Sequence, residues 1–144
     1  MLDISELRKS FVSPEGARVA VVDVAAFSLG AGVQCALRGE SGSGKTTFLN
    51  LIAGILGADA GRIAIDGVEM TALAEAKRDR LRAEKIGYIF QTFNLLQGHT
   101  VLENVLLGMS FGPRGADRAQ ARAMLERVGL GHRLDHFPRQ LSTG

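Results

Sequence analysis

The chain has little with which to build a cross-linked or membrane-spanning protein. Cys35 is the single cysteine among 144 residues, which excludes a disulfide framework and points to a reducing compartment. The longest apolar stretch, Phe48 to Ala58, is interrupted by Asn50. It falls short of the roughly 20 residues that a spanning helix requires. Met1-Leu2-Asp3 opens without the basic and apolar regions of a signal peptide. An excess of one charge is missing too. Seventeen basic against 15 acidic residues leave a formal net charge of +2. That balance predicts neither a nucleic-acid-binding surface nor a strongly basic membrane patch, so no nucleic acid is expected as a partner. No internal repeat, low-complexity tract or linker divides the chain. The hydrophobic fraction, 46%, is ordinary and excludes disorder. Together these features predict a soluble, cytoplasmic chain of one domain, able to bury about 68–70% of its unfolded surface. Glycine alone is in surplus: 18 residues, one in eight, against a usual ~7%.

Short strands are expected first. Leu2 and Ile4 alternate with polar neighbours, Ser13-Pro14-Glu15-Gly16 reads as a turn, and Val19 to Val24 leads through Phe27-Ser28-Leu29 to a Gly30-Ala31-Gly32 turn. Val33 to Leu37 is a compact apolar run of the kind a buried parallel strand shows. Beyond Gly39 to Thr46, Phe48, Leu49 and Ile52 recur at helical spacing until Gly54 and Gly57. Ile63 and Ile65 precede Asp66-Gly67, a strong hairpin signal. Residues 72 to 85 are charged and alanine-rich and predict an exposed helix. Ile86 to Phe90 is a second candidate for a buried strand. Thr100-Val101-Leu102-Glu103 is a capping box opening a helix. A further helix is expected over Ala116 to Val128, with Met124, Leu125 and Val128 on its apolar side and a stop at Gly129. Strand, glycine loop and helix in that order indicate an α/β core with a helical segment after residue 92.

Gly39-Glu40-Ser41-Gly42-Ser43-Gly44-Lys45-Thr46 satisfies G-x-x-x-x-G-K-[ST] in full. Each fixed position has a chemical reason. The glycines let the backbone fold into a nest whose N–H groups point at one anion. The helix beginning near Lys45 adds the positive end of its dipole. Lys45 would reach the β- and γ-phosphates, the Thr46 hydroxyl would bind Mg²⁺, and Thr47 could donate to the α-phosphate. With 18 Gly, 4 Lys and 14 Ser or Thr in the chain, a chance match to the pattern has odds of about 1% or less.

Two later stretches narrow the class. Leu81-Arg82-Ala83-Glu84-Lys85-Ile86-Gly87-Tyr88-Ile89-Phe90-Gln91, followed by Thr92-Phe93-Asn94-Leu95-Leu96, resembles the Q-loop region of ABC transporter ATPases. Leu141-Ser142-Thr143-Gly144 is similar to the opening of that family's L-S-G-G-Q signature. With the glycine loop, in that order and separation, the resemblance covers the whole chain. The wording around Gln91, through Thr100-Val101-Leu102-Glu103-Asn104-Val105, is most similar to the branch serving lipoprotein release, macrolide-type export and the cell-division transporter-like complex. The fold implied is an incomplete ABC-type nucleotide-binding domain of the P-loop NTPase class. It would have an N-terminal antiparallel β-subdomain and P-loop core (residues 1–91) and an appended helical subdomain (92–144).

The resemblance also implies roles. Phe11 matches the aromatic that stacks on adenine, where the family more often has tyrosine. Gln91 matches the glutamine that contacts Mg²⁺ and the attacking water, so Lys45 and Gln91 are the implied catalytic pair and Thr46 and Gln91 the implied metal contacts. Ser142 and the Gly144 amide would face the γ-phosphate of an ATP held by a second, identical protomer, although Thr143 departs from the commoner glycine and would crowd that phosphate. The helical subdomain would dock on a transmembrane permease subunit, placing the protein on the inner face of the cell membrane. The cofactors implied are ATP and Mg²⁺. The Mg²⁺-binding aspartate, the glutamate that activates water and the switch histidine all follow the signature in this family, and residue 144 lies inside it. The expectation is therefore a fragment. It either drives transport as part of a complete subunit or, alternatively, binds nucleotide without hydrolysing it. Strands 33–38 and 86–90 would then lack ladder partners and leave apolar edges prone to aggregation. Arg38, ending the first of them, must reach solvent or a carboxylate.

Overall fold

A computed structural model describes residues 1–91 and 94–142. They fall into two compact units, Met1–Ile86 and the segment from Gly87 onward.

The first unit is built on a four-stranded antiparallel sheet in the order β2-β1-β3-β4. Strands β1 (Leu2–Val12) and β2 (Arg18–Leu29) form a long hairpin. Its turn is closed by Ser13 N donating to Ala17 O at 2.8 Å and Gly16 N to Ser13 O at 2.9 Å. Strand β3 (Ala60–Ile65) pairs with the other edge of β1, and β4 (Val68–Glu69) pairs with β3 across the Asp66-Gly67 turn. Both turn residues have positive φ, 49° and 80°, as a type I′ hairpin requires. Between Ser5 and Arg8, β1 carries one extra residue relative to β3, with Glu6 at φ 49°. That bulge lets Ile4 and Leu7, three residues apart, both face the core. Helix α1 (Lys45–Ile52) covers the same face, so that Ile4, Leu7, Val22, Leu51 and Ile63 form one buried cluster, joined by Phe48 and Ile52. Helix α2 (Glu75–Lys85) is charged along its length and buries Leu81. Glu75 in its first turn and Arg82 and Lys85 in its last oppose the helix dipole.

The second unit packs α3 (Val101–Ser110) on α4 (Arg118–Arg127) through Val101, Leu102, Ala121 and Leu125. The capping box forms as the sequence predicts. Glu103 N donates to Thr100 Oγ1 at 3.2 Å and Thr100 N to Glu103 Oε2 at 2.7 Å. Asp117 caps α4 by accepting from Ala119 N at 2.8 Å and Gln120 N at 3.0 Å.

Three expectations are corrected. Residues 33–38 and 86–90 form no strand, and Val33, Leu37, Ile89 and Phe90 are exposed. A parallel strand needs a ladder beside it, and the four strands here pair antiparallel with one another. On α4 the buried stripe is Ala121 and Leu125, while Met124 and Val128 are exposed. Met124 lies about 100° around the helix from Leu125. Val128 is the C-cap, where the chain leaves helical geometry.

Candidate phosphate-binding site

Strand β2 and helix α1 hold the loop from Gly39 to Thr46 between them. Gly44 is the N-cap of α1, with φ 86° and ψ 5° in the left-handed region, and Gly42 shares that region at φ 80°. Gly44 also lies directly on β2. A Cβ built there would be 2.5 Å from the Val21 carbonyl oxygen, so glycine is required by both conformation and space. The first helical bond runs from Phe48 N to Gly44 O at 2.8 Å. No side chain caps α1, and no acidic residue stands in its first turn. The amides of Lys45, Thr46 and Thr47 therefore precede the first helical bond, and the positive end of the dipole is not offset.

Lys45 closes the loop. Its Nζ donates to Gly39 O at 2.8 Å, to Glu40 O at 2.5 Å and to Ser43 Oγ at 3.3 Å, drawing the two ends of the loop together. Ser43 N donates back to Glu40 O at 3.3 Å. The result is a small exposed ring of backbone with left-handed glycines at two positions, a cation across it and unpaired amides at its foot. That arrangement has the geometry and charge suited to an oxyanion of phosphate class.

The remaining candidates are placed as follows. Gly39 to Ser43 and Thr46 are exposed and Thr47 half-buried. Thr46 stands on the first turn of α1, beside the amides, where a hydroxyl can contribute one ligand to Mg²⁺ while phosphate oxygens and water supply the rest. The donor set thus fits a Mg²⁺–phosphate pair. Phe11 is the penultimate residue of β1, opposite Val19 and 43% exposed, with Lys9 Nζ 5.6 Å from its ring centroid. Gln91 is exposed and belongs to the second unit. Ser142 is exposed, and Gly144 lies outside the described residues. Arg38 reaches solvent, one of the two outcomes its position allows. Sequence reasoning missed the part played by Val21, because a carbonyl lying against a glycine leaves no trace in residue type. Beneath the loop runs a mainly apolar groove of about 620 Å³, lined among others by Val21, Phe27, Leu37, Phe48 and Leu49.

Fold and loop together define a P-loop nucleotide-binding protein. Within that class the chain belongs to the ABC transporter family, whose sequence pattern matches residues 22–144. It is 41% identical over 147 residues to the lipoprotein-releasing system ATP-binding protein LolD of Pseudomonas fluorescens, covering 100% of this chain and 64% of that protein. It is 40% identical over 122 residues to the macrolide export ATP-binding/permease protein MacB of Rhodopirellula baltica, covering 82% of this chain and 18% of that one. Among solved structures, the dimeric post-hydrolysis state of the ATP-binding cassette MJ0796 bound to ADP and Pi superposes with a TM-score of 0.90 at 31% identity, over 99% of this chain and 64% of that one. The chain thus spans somewhat less than two thirds of LolD and of the solved cassette.

Proposed function

We propose that this chain is the nucleotide-binding part of an ABC transporter ATP-binding subunit of the export or lipoprotein-release type. It holds Mg-ATP on the 39–46 loop so that hydrolysis can be coupled to transport. The observation that carries the reading is the ring itself: left-handed Gly42 and Gly44, the uncapped start of α1 and Lys45 across the loop. In it Gly39, Glu40, Ser41, Gly42, Ser43 and Gly44 present backbone to the phosphates. Lys45 neutralises the β- and γ-phosphates, Thr46 supplies the metal with a hydroxyl and Thr47 donates to the α-phosphate. Phe11 stacks on the base. Gln91 orients water at the metal, and Ser142 and Gly144 serve the γ-phosphate of a second copy. The family match supports the assignment of Gln91 and the signature, and the dimeric state of the matched cassette supports pairing of two copies. A membrane permease subunit is the remaining partner. No helix among the described residues is long and apolar enough to cross a membrane, which fits a chain held at the inner face by that partner.

Binding of a fluorescent ATP analogue tests the reading. Saturable, Mg²⁺-dependent binding is expected, at least about tenfold weaker in Lys45→Ala, since a charge-assisted contact is worth roughly 1.5–3 kcal/mol. Equal binding by the two chains would overturn it.

A further inference from the structure

On the first unit, away from the glycine loop, a second cavity of about 250 Å³ opens between the end of α1, the start of β3 and α2. Its wall includes Gly57, Ala58 and Asp59 of the connection, Thr71 before α2, and Arg78 of α2. Arg78 is unusual. Its stem packs on Gly54, where a built Cβ would lie 3.2 Å from the arginine Cγ and Cδ, and its Nε is fully buried with no hydrogen-bond partner. Among the described residues its guanidinium makes neither a hydrogen bond nor an ion pair. The neighbouring arginine on the helix differs in this respect. Arg82 is satisfied by Gly54 O at 3.2 Å and by Asp79 at 2.9 Å.

Arg78 also lines the cavity, and an oxyanion there would give its guanidinium the charge-assisted acceptor that the described residues do not. The carboxylate on the cavity wall does not supply one. Asp59 is engaged by Lys9 Nζ at 2.9 Å, Ser10 N at 2.8 Å and Arg18 at 3.5 Å, and those contacts hold its carboxyl below the usual range. Among the described residues lining the cavity Arg78 is the one cation and Asp59 the one carboxylate, and Asp59 is already held by Lys9 and Arg18. Thr71 Oγ1 already accepts from Ile63 N at 3.2 Å, so its O–H is left to donate. We propose that this cavity is an oxyanion site, distinct from the glycine loop, in which Arg78 binds a carboxylate or phosphate group and Thr71 donates a second hydrogen bond. The volume admits an anion larger than inorganic phosphate, so a small-molecule carboxylate or phosphate fits it.

Amide and arginine Nε–H resonances of the isotopically labelled chain, titrated with inorganic phosphate, with acetate and with chloride at matched ionic strength, provide the test. Saturable shifts at residues 57–61, Thr71 and Arg78 with phosphate or acetate are expected, and whichever anion binds tighter identifies the class of group. Arg78→Met removes the cation while keeping an unbranched apolar stem, and should abolish these shifts. Arg78→Lys keeps the charge without the planar fork, and should weaken binding about tenfold. Lys45→Ala separates the two sites, because shifts at 39–46 should be lost there while those at 57–61 persist. Chloride acting as strongly as the oxyanions, or shifts at 57–61 unchanged in both Arg78 variants, would overturn the proposal. Loss of the 39–46 response alone would bear on the glycine loop and not on this cavity.

Discussion

Gly44→Ala and Gly42→Ala make a pair that isolates what close approach adds to backbone conformation. Both glycines lie in the left-handed region, at φ 86° and 80°. Alanine there carries about 1–2 kcal/mol of strain. Around Gly42 a new Cβ meets nothing within 4 Å, so strain is its whole cost. At Gly44 the new Cβ would be 2.5 Å from Val21 O and 3.1 Å from Val21 Cγ1, where ordinary contact begins at 3.4 Å. Either β2 or the start of α1 must give way by nearly an ångström. An alanine variant without ligand would relieve that strain by leaving the nest conformation. A phosphate requires that conformation, so the cost is read in affinity. Gly42→Ala should weaken ATP binding by roughly 5- to 30-fold, the equivalent of 1–2 kcal/mol. Gly44→Ala should lose about 100-fold or more, since a displacement near 1 Å at a positioned group has a penalty of that order. Equilibrium titration with a fluorescent ATP analogue measures both, and a thermal melt of each variant confirms that α1 is retained. If Gly44→Ala binds as well as Gly42→Ala, the contact with Val21 does not shape the loop and the steric part of the reasoning fails.

The other consequences are smaller and more local. Thr100→Ala removes the hydroxyl that accepts from Glu103 N at 3.2 Å and donates to Glu103 Oε2 at 3.0 Å. Helix α3 should lose about 1 kcal/mol, read as faster hydrogen exchange in its first turn, and unchanged exchange there would refute the role of the cap. Acid should destabilise both units. The Lys9 ammonium and the Ser10 amide hold the Asp59 carboxyl below its usual 3.8; the N-terminal ammonium and Lys85 do the same for Asp66; and the Thr100 amide and hydroxyl hold Glu103 below 4.5. Depressed carboxylates contribute stability that is complete above their unfolded values and is lost as pH falls through the lower folded ones. The urea midpoint should therefore hold steady down to about pH 4.5 and fall below it. A midpoint that rises on acidification would contradict all three assignments.

Elements specified by neighbours in sequence were legible. The Asp66-Gly67 turn, the Thr100–Glu103 box and helix α1 after the glycine loop each depend on residues within a few positions of one another, and residue type announces them. The extent of β1 and β2 was less visible, because Glu6 breaks the alternation that marks a strand. Pattern alone places Ile4 and Leu7 on opposite faces, yet the bulge against β3 puts both in the core. Met124 failed for a related reason. Apolar character was visible, but which side of α4 meets α3 depends on where Ala121 falls, and alanine is a weak signal of burial.

The segments 33–38 and 86–90 show where residue type and structure part company. Both have the apolar, β-branched or aromatic character of buried strands, and neither forms one. Composition states how well a segment would fit between two other strands, but supplies no ladder. Cys35 and Leu37 line the apolar groove together with Phe27 of β2 and Phe48 of α1, so the first segment meets apolar surface without joining a strand ladder. Hydrophobic contact is non-directional and tolerates that arrangement, whereas strand pairing is directional and does not. The glycine loop escapes this dependence. Its shape rests on two left-handed glycines, one lysine reaching back six residues to Gly39 O and a helix start one residue away. Those terms are internal to residues 39–48, apart from the support of Val21. An anion-binding geometry can therefore form even where the strand leading into it has not, and the motif is the part of the sequence from which chemistry could be read most directly.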